Sequence, residues 1–184
     1  MRLMIASDLH GSAYYVEQLL QAFQREQPER LLLLGDLLYH GPRNALPQGY
    51  ETKDVAAQLN EIKEHLLCVR GNCDAEVDQM VLDFPIDAEY SLLWLGKRML
   101  FATHGHRYCP EYPPQLRPGD ILLTGHTHVP ACRREAAGFI YMNPGSVSIP
   151  KGGSAHSYMM LTDELAQWKN LQGEVYREFS LSEK

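Results

Sequence analysis

The chain has 184 residues, of which 45% are hydrophobic and 22% are charged, and its formal net charge at pH 7 is −6. This length fits one domain, 1–184, that can bury a full hydrophobic core without disulfide bonds or structural metal ions. The composition excludes a disordered chain. The negative charge argues against an extended nucleic-acid surface, but not against a compact phosphorylated ligand, because bound divalent metals can make one pocket locally positive.

The beginning of the chain predicts a β-α-β unit within a single α/β domain. The apolar run from Leu3 to Ser7 is typical of a buried strand, and the run from Leu31 to Leu34 predicts the next strand. Between them, Ser12 can cap a helix. The buried face of that helix is predicted to carry Val16, Leu19, Leu20 and Phe23.

A surface loop is predicted over residues 39–49, which hold two glycines and two prolines just past the second strand. We predict that Thr52 caps a second helix. Its buried face carries Val55, Leu59 and Ile62. The run from Leu66 to Val69 then predicts a third strand.

The second half of the chain is predicted to be rich in strands. Tyr90 to Leu95 and Met99 to Thr103 indicate a hairpin around Gly96-Lys97, and Ile121 to Thr124 indicates another strand. Three further strand-like runs are Phe139 to Met142, Tyr158 to Leu161 and Val175 to Phe179. The composition of Asn143-Pro144-Gly145-Ser146 predicts a tight turn, whose position after a strand is compatible with a place near a functional site.

Cysteine usage and hydropathy bear on the compartment. Cys68, Cys73, Cys109 and Cys132 show neither a disulfide framework nor a Cys-x-x-Cys pair. The first apolar run is too short for a signal peptide, and no run is long enough to span a bilayer. We therefore predict a cytoplasmic protein with reduced thiols and no membrane partner.

Five short segments with oxygen and nitrogen metal ligands follow or end the predicted strands. They are Asp8-Leu9-His10, Gly35-Asp36, Gly71-Asn72-Cys73-Asp74, His104-Gly105-His106 and Gly125-His126-Thr127-His128. Their positions would gather these polar groups at one edge of a sheet. Carboxylate and imidazole groups suit borderline divalent ions, whereas thiolate clusters would indicate structural zinc or iron–sulfur centres.

Taken singly, each segment also has a structural explanation. Asp8 can be a helix cap, and Gly35-Asp36 alone is a turn. Asn72 can be a left-handed turn residue, and Cys73 an inert buried thiol. His126 and His128, two apart on an extended strand, would share a face, but an exposed pair fits the same spacing. Only the joint pattern favours a metal site.

The joint pattern predicts hydrolysis at two metal ions. A carboxylate has two oxygens and can join two cations, so Asp36, alone at a strand end, is a natural bridge. Two ions about 3.5–4 Å apart can stabilise both the attacking and the leaving oxygen of a phosphoryl displacement. A hydroxide that bridges the ions is then the expected nucleophile.

In order and content, the five segments resemble the motifs of the calcineurin-like metallophosphoesterase superfamily. Those motifs are Asp-x-His, Gly-Asp, Gly-Asn-His followed by Asp or Glu, a single His, and Gly-His-x-His. All but one motif residue match between Asp8 and His128. The small size and the Asn143-Pro144-Gly145-Ser146 segment resemble the compact phosphodiesterase branch of this superfamily.

The resemblance implies a four-layer α/β/β/α sandwich, in which two mixed β-sheets pack face to face and helices cover the outside. It also implies a ligand set for each metal. The first ion would be held by Asp8, His10, Asp36 and His128. The second would be held by Asp36, Asn72, His104 and His126. Manganese is the first choice on resemblance, and iron, zinc, cobalt and nickel are also compatible with these ligands.

The one departure is Cys73, where many superfamily members have a histidine that contacts the phosphate or protonates the leaving group. A thiol is a poorer hydrogen-bond donor, and its ordinary pKa of about 8.5 leaves it mostly neutral at pH 7. We therefore expect a preference for good leaving groups, or another acid such as His106 or His40. The resemblance thus makes Cys73, Asp74 and His106 the candidate catalytic residues.

The leading interpretation is a metal-dependent phosphodiesterase that acts on a small phosphodiester. A phosphomonoesterase of the same superfamily is the first alternative, because the motifs fix the phosphoryl chemistry but not the number of ester groups. A protein-binding scaffold is the second, because the small branch also resembles a retromer subunit of this fold with a degraded metal site. Assembly into a homo-oligomer is left open by the sequence.

Overall fold

The computed structural model describes residues 1–182. In chain order, its strands and α-helices are β1 (Leu3–Ala6), α1 (Ala13–Glu26), β2 (Arg30–Leu33), α2 (Thr52–Glu61), β3 (Leu66–Cys68), β4 (Tyr90–Leu95), β5 (Arg98–Thr103), β6 (Ile121–Leu123), β7 (Ala131–Arg134), β8 (Ile140–Asn143), β9 (Ser157–Leu161), β10 (Leu165–Asn170) and β11 (Val175–Ser180). Two short 3₁₀ helices lie at Lys63–His65 and Glu76–Met80.

The strands form two mixed sheets. The first has the order β11-β10-β9-β1-β2-β3 and the second the order β4-β5-β6-β8-β7. In the first sheet β1, β2 and β3 are parallel, with Ile5 opposite Leu32. In the second sheet β5, β6 and β8 are parallel, with Leu100 opposite Ile121. Parallel strands end at the same edge, so each sheet delivers its following loops to one rim.

Alternation along β1 shows how the layers pack. Leu3 and Ile5 point into a core between the two sheets, whereas Met4 and Ala6 point into a second core under the helices. All four side chains are fully buried, as expected for a strand covered on both faces. The two sheets therefore pack face to face, as the resemblance implies.

Both α-helices within residues 1–182 pack on the first sheet. The outer face of the second sheet carries a third apolar cluster that includes Phe101 and Leu122, and loop residues Tyr108 and Leu116 pack against it. The two mixed sheets of the predicted fold are confirmed. On the second sheet, however, a loop takes the place of a helical layer in the described part of the chain.

The two predicted helix starts have different outcomes. Ser12 caps α1, since its Oγ accepts the Tyr15 N–H at 3.2 Å. The predicted cap at Thr52 is wrong, because Thr52 is already helical and Glu51 occupies the cap position without a side-chain hydrogen bond. None of the helices within residues 1–182 is long and apolar enough to cross a lipid bilayer.

Candidate metal centre

The seven predicted metal ligands come together where the two sheets meet. Asp8 and His10 follow β1, Asp36 follows β2 and Asn72 follows β3 in the first sheet. In the second sheet, His104 follows β5, and His126 and His128 follow β6. Contacts of 2.9–3.7 Å link all seven side chains. The shared rim of parallel strand ends therefore explains how residues far apart in the chain form one cluster.

The backbone at these ligands is unusual. Among the non-glycine residues described, those with a positive φ are Asp8, His10, Gln27, Asp36, His126 and His128. Five of these six are predicted ligands, and the sixth is the left-handed C-cap of α1. Of the two interpretations left open for His126 and His128, an extended strand does not apply, because their φ angles are 65° and 61°. Such conformations concentrate at functional sites, where surrounding contacts hold them.

The first group of ligand atoms is arranged as a cation would require. His10 Nδ1 bonds to the Tyr39 carbonyl oxygen at 2.8 Å, and His128 Nδ1 bonds to the Ile149 carbonyl oxygen at 2.7 Å. Each Nδ1 is therefore the N–H donor, so two Nε2 lone pairs face each other at 3.2 Å. Asp8 Oδ1, which is buried and has no hydrogen-bond partner among residues 1–182, lies 3.2 Å from His128 Nε2. A metal ion would satisfy all three acceptors.

The second group has the same character. His104 Nδ1 donates to the Leu34 carbonyl oxygen at 2.7 Å, which turns Nε2 towards Asn72 Oδ1 at 2.9 Å and His126 Nδ1 at 3.2 Å. The Asn72 amide is oriented by its Nδ2–H group, which donates to Cys73 Sγ at 3.3 Å. Asn72 Oδ1 and His126 Nδ1 thus lie close to His104 Nε2, and these three atoms also fit a cation.

Asp36 lies between the two groups. Its Oδ2 is 3.7 Å from His10 Nε2 and 3.3 Å from His104 Nε2, and its Oδ1 accepts the Cys73 N–H at 2.8 Å. Burial opposes the charged form of Asp36, but the neighbouring His104 outweighs it and lowers the pKa of the carboxyl group. Burial likewise opposes protonation of His104, yet Asp36 and Asp8 raise its pKa to about 9. Asp36 Oδ2 is therefore close to a histidine nitrogen of each ligand group.

Asp74 supports the backbone of this centre. Its side chain is buried, and its two carboxylate oxygens accept the backbone N–H groups of Asp36, Leu37 and Gly71 at 2.6–2.9 Å. Burial raises the pKa of Asp74, against the effect of these donors, which favour the charged form. The geometry favours a positioning role for Asp74 over the predicted catalytic role.

Two motif glycines are needed for close approach. A Cβ at Gly71 would collide with the Asp36 carboxylate, and a Cβ at Gly125 would collide with the Ser7 hydroxyl and approach Asp8 Oδ2. The glycines before Asn72 and His126 therefore let the backbone pass beside the ligands of the neighbouring strands.

The turn after β8 braces the first motif, in agreement with its predicted place near the site. The Ser146 and Ser148 hydroxyls both donate to the Asp8 carbonyl oxygen, at 2.9 and 3.0 Å. Asn143 Nδ2 donates to the Gly125 carbonyl oxygen at 2.7 Å. Sequence reasoning found the turn from its Pro-Gly composition, but it assigned no role to these side chains.

A cavity of about 410 Å³ opens over the ligands. Its walls are His10, Asp36, Gly41, Pro42, Arg43, Asn44, Asn72, Cys73, His126, His128 and Lys151. Cys73 therefore lies in the wall of this cavity, and burial together with Asp36 raises the pKa of its thiol to about 12. Sequence reasoning missed Arg43 and Lys151, which lie in loops with no motif of their own.

The other histidines considered as acids lie elsewhere. His106 lines an adjoining cavity of about 380 Å³ that shares Asn72 with the first. Its ring centroid is 5.5 Å from that of His104, and burial and His104 lower its pKa. His40 packs edge-on between Tyr39 and Tyr50, and its buried Nδ1 has no hydrogen-bond partner in the described part of the chain.

Comparison with known proteins gives an independent view of these residues. The family model described as the calcineurin-like phosphoesterase superfamily domain matches residues 1–164. The Escherichia coli K12 protein named phosphodiesterase YfcE is 50% identical over 165 residues, which span 90% of this chain and 89% of that protein. The solved structure of the E. coli phosphoesterase YfcE superposes with a TM-score of 0.95 and 45% identity, over 99% of this chain and 100% of that chain.

A more distant structure shares the fold. Vacuolar protein sorting 29 from Cryptosporidium parvum superposes with a TM-score of 0.62 over 97% of both chains, at 18% identity. At that identity the likeness concerns the arrangement of the sheets alone.

Proposed function

Because the chain belongs to the calcineurin-like phosphoesterase superfamily, we propose that it hydrolyses phosphodiesters with two divalent metal ions held by the ligands at the sheet rim. Its close likeness to a phosphodiesterase covers the whole site, from Asp8 to His128. The chain is thus a phosphoric ester hydrolase of the phosphodiesterase type. The two-ion arrangement is the part that we propose.

The observation that carries the two-ion proposal is the position of Asp36 Oδ2 between the two groups of ligand atoms, 3.7 Å from His10 Nε2 and 3.3 Å from His104 Nε2. Asp8, His10, Asp36 and His128 would hold the first ion. Asp36, Asn72, His104 and His126 would hold the second. When bound, divalent ions in such a site activate water as a nucleophile and neutralise charge on the phosphoryl oxygens.

The protein's own contribution is to fix these ligands before substrate arrives. Carbonyl oxygens hold the Nδ1–H groups of His10, His104 and His128, which sets the tautomer and the ring plane of each. Asp74 fixes the backbone at Asp36. The hydroxyl groups of Ser146 and Ser148 fix the backbone at Asp8 through its carbonyl oxygen. Ligands held in this way need little reorganisation during the reaction.

Cys73 shapes the choice of leaving group. With its pKa raised to about 12, the thiol stays neutral at physiological pH and supplies no positive charge to a departing oxygen. Its sulfur instead accepts a hydrogen bond from Asn72 and so keeps the amide oxygen turned to the ligand group. His106, whose pKa is lowered, is mostly neutral near pH 7 and is a weak substitute as an acid. We therefore propose that the enzyme favours diesters with good leaving groups.

We propose that manganese is the metal bound during catalysis and that the protein is located in the cytoplasm. The carboxylate, amide and imidazole ligands admit manganese, iron, zinc, cobalt and nickel, among which cellular supply decides, and manganese is the first choice on the resemblance to the superfamily. The four cysteines are free thiols, which agrees with a reducing compartment.

Reconstitution tests the proposed function. Protein stripped with a chelator is supplied with manganese, cobalt or zinc and assayed on aryl diesters, the matching monoesters and nucleotides. We expect manganese to restore diester hydrolysis, with monoesters cleaved more slowly. Faster cleavage of monoesters would indicate the phosphomonoesterase alternative. No hydrolysis with any of the metals would favour the scaffold.

A further inference from the structure

We propose that Arg43 and Lys151 bind the phosphate group of the substrate and supply the positive charge that Cys73 does not. This inference deepens the proposed function and rests on it. It concerns two side chains that are outside the metal-ligand set and carry no family motif.

The composition of the cavity wall points to these two residues. Apart from the ligands, the cavity over the centre is lined by Gly41, Pro42, Arg43, Asn44, Cys73 and Lys151. Two of these side chains are cationic and none is anionic. Although the chain has a formal charge of −6, the charged side chains that line this opening besides the ligands are both positive. They would attract a phosphodiester anion.

Lys151 is held next to the first ligand group by its backbone. The Lys151 N–H donates to the His128 carbonyl oxygen at 3.1 Å, and the Ile149 carbonyl oxygen accepts the His128 Nδ1–H at 2.7 Å. Ser154 closes the turn, since its N–H and hydroxyl both donate to the Lys151 carbonyl oxygen, at 3.2 and 2.8 Å. The exposed Lys151 thus belongs to a segment that forms hydrogen bonds with both the backbone and the side chain of His128, a proposed metal ligand.

Arg43 is held in a parallel way. Its loop starts at Tyr39, whose carbonyl oxygen accepts the His10 Nδ1–H at 2.8 Å, and closes through Asn44, whose Nδ2–H donates to the His40 carbonyl oxygen at 2.8 Å. Gly41 packs beside Cys73, so close that a Cβ there would lie 3.4 Å from the sulfur. Arg43 is therefore on the side of the cavity where the superfamily's histidine would act.

These positions suggest different roles for the Arg43 and Lys151 side chains. A guanidinium can form two parallel hydrogen bonds to phosphate oxygens, whereas an ammonium acts as a point charge. During hydrolysis the hydroxide oxygen bonds to phosphorus, the ester P–O bond breaks, and its electron pair leaves with the departing oxygen, which takes a proton from water. Arg43, whose loop approaches Cys73 at Gly41, would stabilise that departing charge, and Lys151 would hold a non-bridging oxygen.

The test compares Arg43→Gln and Lys151→Gln with Arg30→Gln and Lys97→Gln. The control residues are exposed and outside the cavity, so the controls make the same change in net charge. Binding of inorganic phosphate to the manganese-loaded proteins is measured by calorimetry, together with manganese affinity. We expect each cavity variant to bind phosphate about 10- to 100-fold more weakly, the range for losing a charged hydrogen bond. Manganese affinity should stay within about twofold, since neither residue is a ligand.

Kinetics with a series of aryl diesters separate the two roles. Arg43→Gln should lower kcat most for poor leaving groups and steepen the dependence of kcat on leaving-group pKa, and Arg43→Lys should restore part of the loss. Lys151→Gln should act mainly on KM. Phosphate affinity and kinetics equal to those of the controls would overturn the proposal. If the wild type binds manganese and phosphate but cleaves no diester, the proposed function fails instead, and the phosphate data still decide the role of the cations.

Discussion

Replacing Asp74 by alanine would test whether this buried carboxylate holds the backbone of the metal centre. The side chain accepts three backbone N–H groups, from Asp36 at 2.9 Å, Leu37 at 2.8 Å and Gly71 at 2.6 Å. Each buried donor left without a partner costs about 1–3 kcal/mol. Because the vacated space can admit water, we take the lower part of that range and expect a loss of about 3–5 kcal/mol in the free energy of unfolding.

Urea denaturation in the presence of a chelator measures this loss without a contribution from bound metal. Asp83→Ala is the matched control, because Asp83 is exposed and its ion pair with Lys63 should contribute less than about 1 kcal/mol. Asp74→Asn should fall between alanine and the wild type, since it keeps one oxygen acceptor but turns an NH₂ group towards an N–H. A loss for Asp74→Ala no larger than that of the control would refute the positioning role.

Three further predictions concern the leaving group, a metal ligand and acid stability. Cys73→His should raise turnover of diesters with poor leaving groups relative to aryl diesters in a paired kinetic assay; an unchanged ratio would remove the explanation given for the cysteine. Asn72→Ala should weaken manganese binding and lower turnover but leave the urea midpoint of the chelated protein nearly unchanged, and full activity would remove Asn72 from the ligand set. Glu26 is buried with Lys169 and Arg2 as partners; although burial opposes its charge, Lys169 outweighs it and lowers the pKa of Glu26 below its ordinary 4.5. The charged form of Glu26 therefore stabilises the fold above pH 4.5, and this effect is lost as the pH falls through the native pKa. The difference in free energy of unfolding between the wild type and Glu26→Gln, measured with urea, should shrink on acidification. A difference that does not change with pH would contradict this.

The sequence predicts the meeting of the candidate ligands better than the backbone conformation at these residues. Asp8, Asp36 and His104 follow apolar runs, so strand ends and residue types suffice to predict their meeting. His126 and His128 show the limit of this reasoning, because a spacing of two suggests an extended strand, whereas both residues have a left-handed backbone. That conformation depends on contacts from other strands, such as the Asp8 carboxylate that accepts the His126 N–H at 3.1 Å.

The missed elements have a similar cause. β7 (Ala131–Arg134) and β10 (Leu165–Asn170) mix charged and apolar residues, so they lack the apolar run that marks β1 or β2. β10 is nevertheless paired on both sides in the sheet, with Trp168 buried and bonded to the Asn143 carbonyl oxygen at 2.7 Å. The positions of Arg43 and Lys151 could not be predicted from the sequence either, because they depend on loops whose carbonyl oxygens accept the Nδ1–H groups of His10 and His128.

The most direct test of the two-ion centre is calorimetric titration of the stripped protein with manganese, for the wild type and for Asp36→Asn. The wild type should bind two ions per chain. Asp36→Asn should weaken both binding events, because Asp36 Oδ2 faces both ligand groups. A single ion in the wild type, or one of two events left at wild-type affinity in Asp36→Asn, would contradict the account of Asp36 as the bridge.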